Sequence, residues 1–284
     1  QGFRVTGIGR LQSAGGAWPL FGPPASDDIT ELGAMKRALG DFAVDIPAFT
    51  VAVSSATTRV TLDRPATLTP RNGGVLTLRP AATPIFSARD GQAGGGALSL
   101  TATRGQGLPE AAFDIPAWRL TPGGFTATLD GRAALDFDLA KGIALQTRGE
   151  LASSNGRRTY LAANCIPLSV ERLELDESDV TAIAGQICPA DRPLVTVAEG
   201  GWRAEGLIAG LDAAAPFLAL NFTDAKGSFV ATGGLSGVGL EAQVASVLVV
   251  DATTPARFNP VTAQGSARLA DENWTGTFDL ARSG

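Results

Sequence analysis

Residues 123–139 read GGFTATLDGRAALDFDL, and they carry the clearest folding signal in the chain. Apolar residues alternate with Thr and Asp from Phe125 to Leu129 and again from Leu135 to Leu139. Side chains of a β-strand point to opposite faces in turn, so this period of two predicts strands with one apolar and one polar face. The glycine pair at the start predicts a tight turn before the first strand.

The same alternation recurs along the chain, for example in LSLTA at 98–102 and in WTGTFDL at 274–280. Glycine pairs such as those at 73–74 and 123–124 separate such segments. Short strands joined by glycine-rich turns are typical of an antiparallel meander with one face toward water. The sequence therefore predicts a protein built almost entirely from β-strands.

A single segment near the N-terminus shows helical spacing. Ile29, Leu32, Met35 and Leu39 recur at intervals of three or four residues, and Gly40 follows as a stop signal. Ser26 or Asp27 can cap the first turn. We expect this helix either to pack on an edge or an end of the sheet or to cover an apolar opening.

Two seven-residue stretches form a weak internal repeat. AVDIPAF at 43–49 matches AFDIPAW at 112–118, and each precedes another strand-like stretch. Either this is a chance recurrence of an edge-strand pattern with its proline, or it marks a repeated supersecondary unit. A repeated unit would favour an elongated sheet that adds strand after strand.

A sheet with one apolar face must cover that face with a second sheet, with helices, or by curling on itself. Helical segments are scarce, and one Tyr with 6% aromatic residues does not fit the aromatic girdles of a membrane barrel. Two arrangements therefore remain possible. One is a sandwich or β-helix with a closed core, and the other is a curled sheet with an open trough. The fold that we favour is all-β (minor α): an elongated, strongly curved antiparallel sheet forming an apolar β-groove.

This predicted fold divides the chain into two segments. We expect an irregular N-terminal segment with the short helix over residues 1–41 and a continuous antiparallel β-groove over residues 42–284. The sequence begins at Gln1 without a Met and ends just after a strand-like segment. We expect it to be a piece of a longer chain.

Composition excludes several classes of function. The net charge is −5, whereas proteins that grip nucleic acid electrostatically carry a basic patch. The chain has 0 His, which removes Ser-His-Asp and Cys-His catalysis and His-ligated zinc. Asp and Glu are scattered, so no spacing selects a glycosidase pair. We therefore expect no enzyme activity, no metal and no cofactor.

The two cysteines enclose the stretch CIPLSVERLELDESDVTAIAGQIC, from Cys165 to Cys188. The polar cluster at 176–179 lies at its midpoint, between two segments with strand-like apolar residues. Folded as a hairpin, this stretch brings the cysteines together at its open end. We expect a disulfide between adjacent strands, and hence an oxidising compartment. Two buried free thiols are the alternative.

Four short stretches carry a resemblance to a known family. These are NCIP at 164–167, ICP at 187–189, GGWRA at 200–204 and VDATTPARFNP at 250–260, the last before a glycine-rich strand and Trp274. In this order they resemble the YdbH-type, AsmA-like intermembrane phospholipid transport proteins, best over residues 110–284. The resemblance implies repeated β-groove units whose concave apolar face carries phospholipid acyl chains.

The resemblance also implies a location and partners. Family members are periplasmic proteins of Gram-negative bacteria, anchored in the inner membrane, and a small outer-membrane lipoprotein meets their open strand edge by strand addition. We expect phospholipid or fatty acyl chains as ligands, held by the following apolar residues: Phe125, Leu129, Leu135, Phe137, Leu139, Leu240, Val244, Leu248, Trp274 and Phe278. A structural or adhesive β-solenoid or sandwich with a closed core is the alternative, and an unusual carboxylate hydrolase is a third possibility.

Overall fold

A computed structural model describes residues 2–14, 31–81, 84–89, 92–137, 139–199, 201–234, 237–270 and 273–282. Within these ranges the chain forms one large antiparallel sheet of 19 strands and one short α-helix. The predicted all-β class with a minor helix is confirmed. No helix in the described ranges is both long and apolar enough to cross a membrane.

Contacts divide the chain into two compact units. The first unit comprises Gln1–Ala134 and Arg148–Arg158, and the second comprises Leu135–Thr147 and Thr159–Gly284.

The elements up to β9 are the following: β1 (Phe3–Ser13), α1 (Glu31–Gly40), β2 (Phe42–Val53), β3 (Thr57–Leu62), β4 (Ala66–Pro70), β5 (Val75–Pro80), β6 (Phe86–Arg89), β7 (Gly95–Thr103), β8 (Glu110–Thr121) and β9 (Gly124–Phe137). Turns at the glycine pairs 73–74 and 123–124 join β4 to β5 and β8 to β9, as the sequence predicts.

The remaining strands are the following: β10 (Ala140–Ser154), β11 (Arg157–Ala162), β12 (Ile166–Leu173), β13 (Val180–Cys188), β14 (Val195–Ala198), β15 (Gly201–Ala215), β16 (Leu220–Gly234), β17 (Gly237–Asp251), β18 (Val261–Ala270) and β19 (Asn273–Arg282). From β15 to β19 each strand pairs antiparallel with the next, which makes a meander of long strands.

Residues 3–13 correct the expectation of an irregular N-terminal segment over residues 1–41. They form β1, which pairs with β2 from Phe3 opposite Val53 to Ser13 opposite Phe42. Gly7 and Gly9 interrupt the alternation of apolar side chains in the sequence, and the strand still forms because its backbone groups pair with those of β2. A long partner strand therefore outweighs a weak local pattern.

The helix α1 ends at Gly40 as predicted and packs at strand ends of the first unit. The Asn72 side chain, in the turn between β4 and β5, donates a hydrogen bond to the Ala34 carbonyl at 2.9 Å. Gly107 approaches so closely that a Cβ there would lie 2.2 Å from the Ala34 carbonyl carbon. The expected caps Ser26 and Asp27, and Ile29, lie outside the described residues.

Both units contain short strands placed end to end along a long one. In the first unit β3 and β4 pair with successive halves of β2, and β5 and β6 both pair with β7. In the second unit β13 and β14 both pair with β15. What recurs in the two units is thus this arrangement of short strands along a long one, whereas the sequence repeat marks a smaller feature.

The feature marked by the sequence repeat is a bulge in the middle of a long strand. In β2, three residue steps from Ile46 to Phe49 face two steps of β1. In β8, three steps from Asp114 to Ala117 face two steps of β9. Both bulges contain the proline of the repeat, which has no N–H to offer to a neighbouring strand.

The predicted disulfide is confirmed. Strands β12 and β13 pair from Ile166 opposite Ile187 to Leu173 opposite Val180, which puts Cys165 opposite Cys188 at the open end of the hairpin. The two cysteines are bonded. Cys165 lies in the connection between β11 and β12, and Cys188 is the last residue of β13, before the connection to β14.

Candidate functional site

The five strands β15–β19 of the second unit share a continuous apolar face. Cross-strand partners lie on the same side of an antiparallel sheet, so the register shows which side chains stand together. One row runs from Ala213 through Phe222, Val249 and Val261. Another contains Leu211 and Ala225, and a third contains Val247, Ala263 and Leu280.

The opposite face of the same strands carries the polar side chains. Arg203 stands opposite Thr232, Ser228 opposite Gln243, and Gln264 opposite Asp279. The salt bridge between Arg268 and Glu241 lies on this face, with both side chains largely exposed. The sheet therefore has one wet face and one apolar face, as its sequence pattern predicts.

The apolar face encloses a cleft of about 580 Å³. All its lining side chains are apolar: Leu211, Ala213, Leu220, Phe222, Ala225, Val244, Val247, Val249, Phe258, Val261, Ala263, Phe278 and Leu280. Val247, Val249 and Ala263 are buried and form its floor. Phe278 and Leu280 are 51% and 69% exposed and form an edge of the cleft, which therefore opens to solvent.

Bulges decide which residues reach the cleft. Between Val244 and Val247, three steps of β17 face two steps of β18. The extra residue reverses the alternation, so Val244, Val247 and Val249 share one face although the first two differ by an odd number. Asp224 in β16 and Gly210 in β15 have positive φ values of 53° and 61° near neighbouring bulges.

Two of the ten residues expected to hold acyl chains line the cleft, namely Val244 and Phe278. Leu240 shares their face farther along β17, opposite Leu269. Leu248 lies on the opposite face, because the bulge shifts it out of step with Val244. Trp274 stands opposite Leu269 in the register, but its side chain, like that of Phe137, lies outside the described residues.

The other expected residues are not among those that line this cleft. Phe125 pairs with Leu120, and Leu129 also belongs to β9. Leu135 is near the end of β9, and Leu139 is an exposed residue of the turn that follows. That these residues bind lipid stays a prediction.

Most of the cleft lining was not identified from the sequence. The signal that could have found it is pairing. The glycine pair 233–234 in the sequence marks the end of a strand, and counting outward from there places Phe222 opposite Val249. Phe258 lies in the connection between β17 and β18, where no periodicity applies.

An ion pair between the buried Asp251 and the half-exposed Arg257 holds that connection at one end of the cleft. The buried Asp251 carboxylate accepts hydrogen bonds from Arg257 Nε at 2.9 Å and from the Thr253 backbone N–H at 2.9 Å. Arg257 Nη2 also donates to the Leu218 carbonyl at 2.8 Å. Residues 252–260 and the turn at Pro216–Leu218 are thereby braced against each other.

The hydrogen bond from Arg257 lowers the pKa of Asp251 well below its ordinary value, and the bonds from Thr253 add to that effect against the opposing cost of burial. The same pairing raises the pKa of Arg257. A carboxyl group whose pKa falls on folding stabilises the fold fully above its unfolded pKa, near 3.8, and loses that contribution as the pH falls through the folded value.

We expect Asp251→Asn to lower the midpoint of thermal unfolding at neutral pH. The amide cannot offer Arg257 the negative charge that the buried Asp251 carboxylate supplies. The difference from the wild type should stay constant down to about pH 4 and narrow below it, because the unfolded wild-type chain then binds a proton at Asp251 that the folded chain does not yet bind. Thermal unfolding, followed by circular dichroism from neutral pH to below pH 4, measures the lower midpoint and its dependence on pH.

Asp224→Asn is the matched control for this prediction. Asp224 forms a salt bridge with Lys226 at 2.7 Å, but both side chains are mostly exposed, and such pairs contribute little. If the midpoint of Asp251→Asn differs from that of the wild type by no more than the control does, the Asp251–Arg257 pair has no structural role.

The described residues show no group of three or more His, Cys, Asp or Glu that could hold a metal ion. The site is thus an apolar cleft with the Asp251–Arg257 ion pair at one end.

In comparisons with known proteins, no protein family, curated protein or solved structure matches this chain.

Proposed function

We propose that this protein is a lipid-binding module whose second unit takes up the acyl chains of phospholipids or fatty acids. The observation that carries the proposal is the open cleft of about 580 Å³ with an entirely apolar lining. Its volume falls within the range of about 300–1,000 Å³ that is common for small-molecule sites. Such sites normally add a few polar groups that fix orientation, and this cleft has none.

The chemistry of the lining selects the ligand. Each methylene group that leaves water contributes about 0.8 kcal/mol to binding. A hydrocarbon chain needs no hydrogen bonds, whereas a sugar, a nucleotide or a peptide would leave its polar groups without partners against this surface. An unbranched acyl chain is therefore the ligand that suits the cleft best.

The absence of polar groups from the lining also favours movement. A ligand held by apolar contact alone meets no hydrogen bond that fixes its position, so an acyl chain can slide while its head group stays in water. This property suits a protein that transfers lipid rather than one that stores it. Transfer between the inner and outer membranes of a Gram-negative bacterium is the setting that we propose.

Two further features belong to this proposal. The disulfide is compatible with an oxidising compartment such as the periplasm. The resemblance of the NCIP, ICP, GGWRA and VDATTPARFNP stretches to YdbH-type proteins supports an anchor in the inner membrane and an outer-membrane lipoprotein as partner. We propose both on that basis alone.

The test is uptake of a fluorescent fatty acid by delipidated protein, together with native mass spectrometry of the protein as purified. We expect saturable binding of the fatty acid and co-purified phospholipid. A delipidated protein that takes up no fatty acid would reject the proposal and leave a structural or adhesive β-protein as the better description.

A further inference from the structure

The end of the cleft at Asp251 displays large apolar side chains to solvent. Phe217 and Leu218, in the turn between β15 and β16, are 49% and 45% exposed. Phe258, in the connection between β17 and β18, is 38% exposed and also lines the cleft. These three residues form the apolar tip.

The tip is held in place by hydrogen bonds. Arg257 Nη2 donates to the Leu218 carbonyl at 2.8 Å, and the Ala252 N–H donates to the Ala219 carbonyl at 2.8 Å. Asp251 fixes Arg257 in turn. Because the backbone on both sides is braced, Phe217 and Leu218 are presented to solvent in a fixed arrangement.

Charge around the tip favours a particular kind of surface. Arg257 is the one charged residue in the two connecting segments 216–219 and 252–260, and its side chain is 52% exposed. The acidic turn at Asp176–Ser178 lies at the same end of the strands, because Thr181 pairs with Ala214. A single cation that is already paired with Asp251 suits the phosphate layer of a neutral bilayer better than a strongly anionic one, which attracts clusters of basic residues.

We infer that the apolar tip docks onto the surface of a zwitterionic phospholipid bilayer, with Phe217 and Leu218 inserted among the lipids and Arg257 at the phosphates. This inference rests on the proposed function, because it names the source from which an acyl chain enters the cleft. Phe258 joins the docked surface to the cleft lining, so a chain that leaves the bilayer passes from lipid to protein along apolar contacts.

The test compares binding of the full chain to phosphatidylcholine vesicles by co-sedimentation. Phe217→Gln/Leu218→Gln should weaken binding about tenfold or more, because both side chains would lose their burial in the bilayer. Raising the salt concentration should change the wild-type affinity little, because apolar insertion is not screened. Val238→Gln, which replaces an exposed apolar residue near the other end of β17, is the control and should bind as the wild type does.

Uptake of a fluorescent fatty acid in solution separates this inference from the proposed function. Phe217 and Leu218 do not line the cleft, so the double variant should retain uptake while it loses vesicle binding. Wild-type protein that takes up fatty acid but does not sediment with vesicles would overturn the docking inference alone. So would a double variant that sediments as well as the wild type, or binding that disappears at high salt.

Discussion

Ala213→Phe is expected to weaken the binding of a long-chain fatty acid about thirtyfold. Ala213 lines the cleft and stands opposite Phe222, so a benzyl group there would fill space that an acyl chain would occupy. If two or three methylene groups are displaced, the binding free energy falls by about 2 kcal/mol. Titration with a fluorescent fatty acid measures this loss directly.

Ala214→Phe is the matched control. Ala214 is the next residue along β15, and its partner Asn221 lies on the polar face, so the same side chain is added outside the cleft. Thermal unfolding of both variants verifies that neither fold is disrupted, since added bulk also causes strain in packed regions. Equal affinities of the two variants for the fatty acid would show that the fatty acid does not bind in the cleft.

The strands were predictable because their signal is local. The alternation from Phe125 to Leu129 depends only on residues that are neighbours in the chain, and the structure places it in β9. The disulfide was predictable for a similar reason, since the polar turn at the midpoint between Cys165 and Cys188 fixes the hairpin register. Features of this kind need no knowledge of the rest of the fold.

The cleft lining was predictable only in part because bulges reverse the alternation. Strict alternation along β17 predicts Leu248 on the same face as Val244, yet the extra residue before Val247 moves Leu248 to the polar face. The positive φ at Asp224 is set by its neighbours, and Asp212 accepts a hydrogen bond from its N–H at 2.9 Å. A backbone arrangement that depends on a partner strand cannot be read from one strand alone.

Phe258 shows a second limit of prediction from sequence. It reaches the cleft because Arg257 is tied to Asp251 and to the Leu218 carbonyl, a group 39 residues away in sequence. The VDATTPARFNP stretch resembles a known family, but nothing in its pattern shows that it holds two connecting segments together. Such a contact exists only once β15–β18 have assembled.

Removal of the disulfide is expected to lower the free energy of unfolding by about 3 kcal/mol. The bond joins cysteines separated by 23 residues, and in the chain-entropy model its main effect is to restrict the unfolded chain. Cys165→Ser/Cys188→Ser should therefore unfold at a lower urea concentration and with a steeper dependence on urea, because the released chain exposes more surface.

The native sheet should survive this change, and that distinguishes the expected mechanism from local damage. Strands β12 and β13 stay paired by their own ladder, and β13 is also held by β15, whose far end carries the cleft residues Leu211 and Ala213. Fatty-acid affinity of the double variant should match that of the wild type, and wild-type protein treated with reductant should unfold like the variant. If instead the affinity falls while the unfolding free energy changes by less than about 1 kcal/mol, the bond shapes the native β13–β15 ladder rather than restricting the unfolded chain.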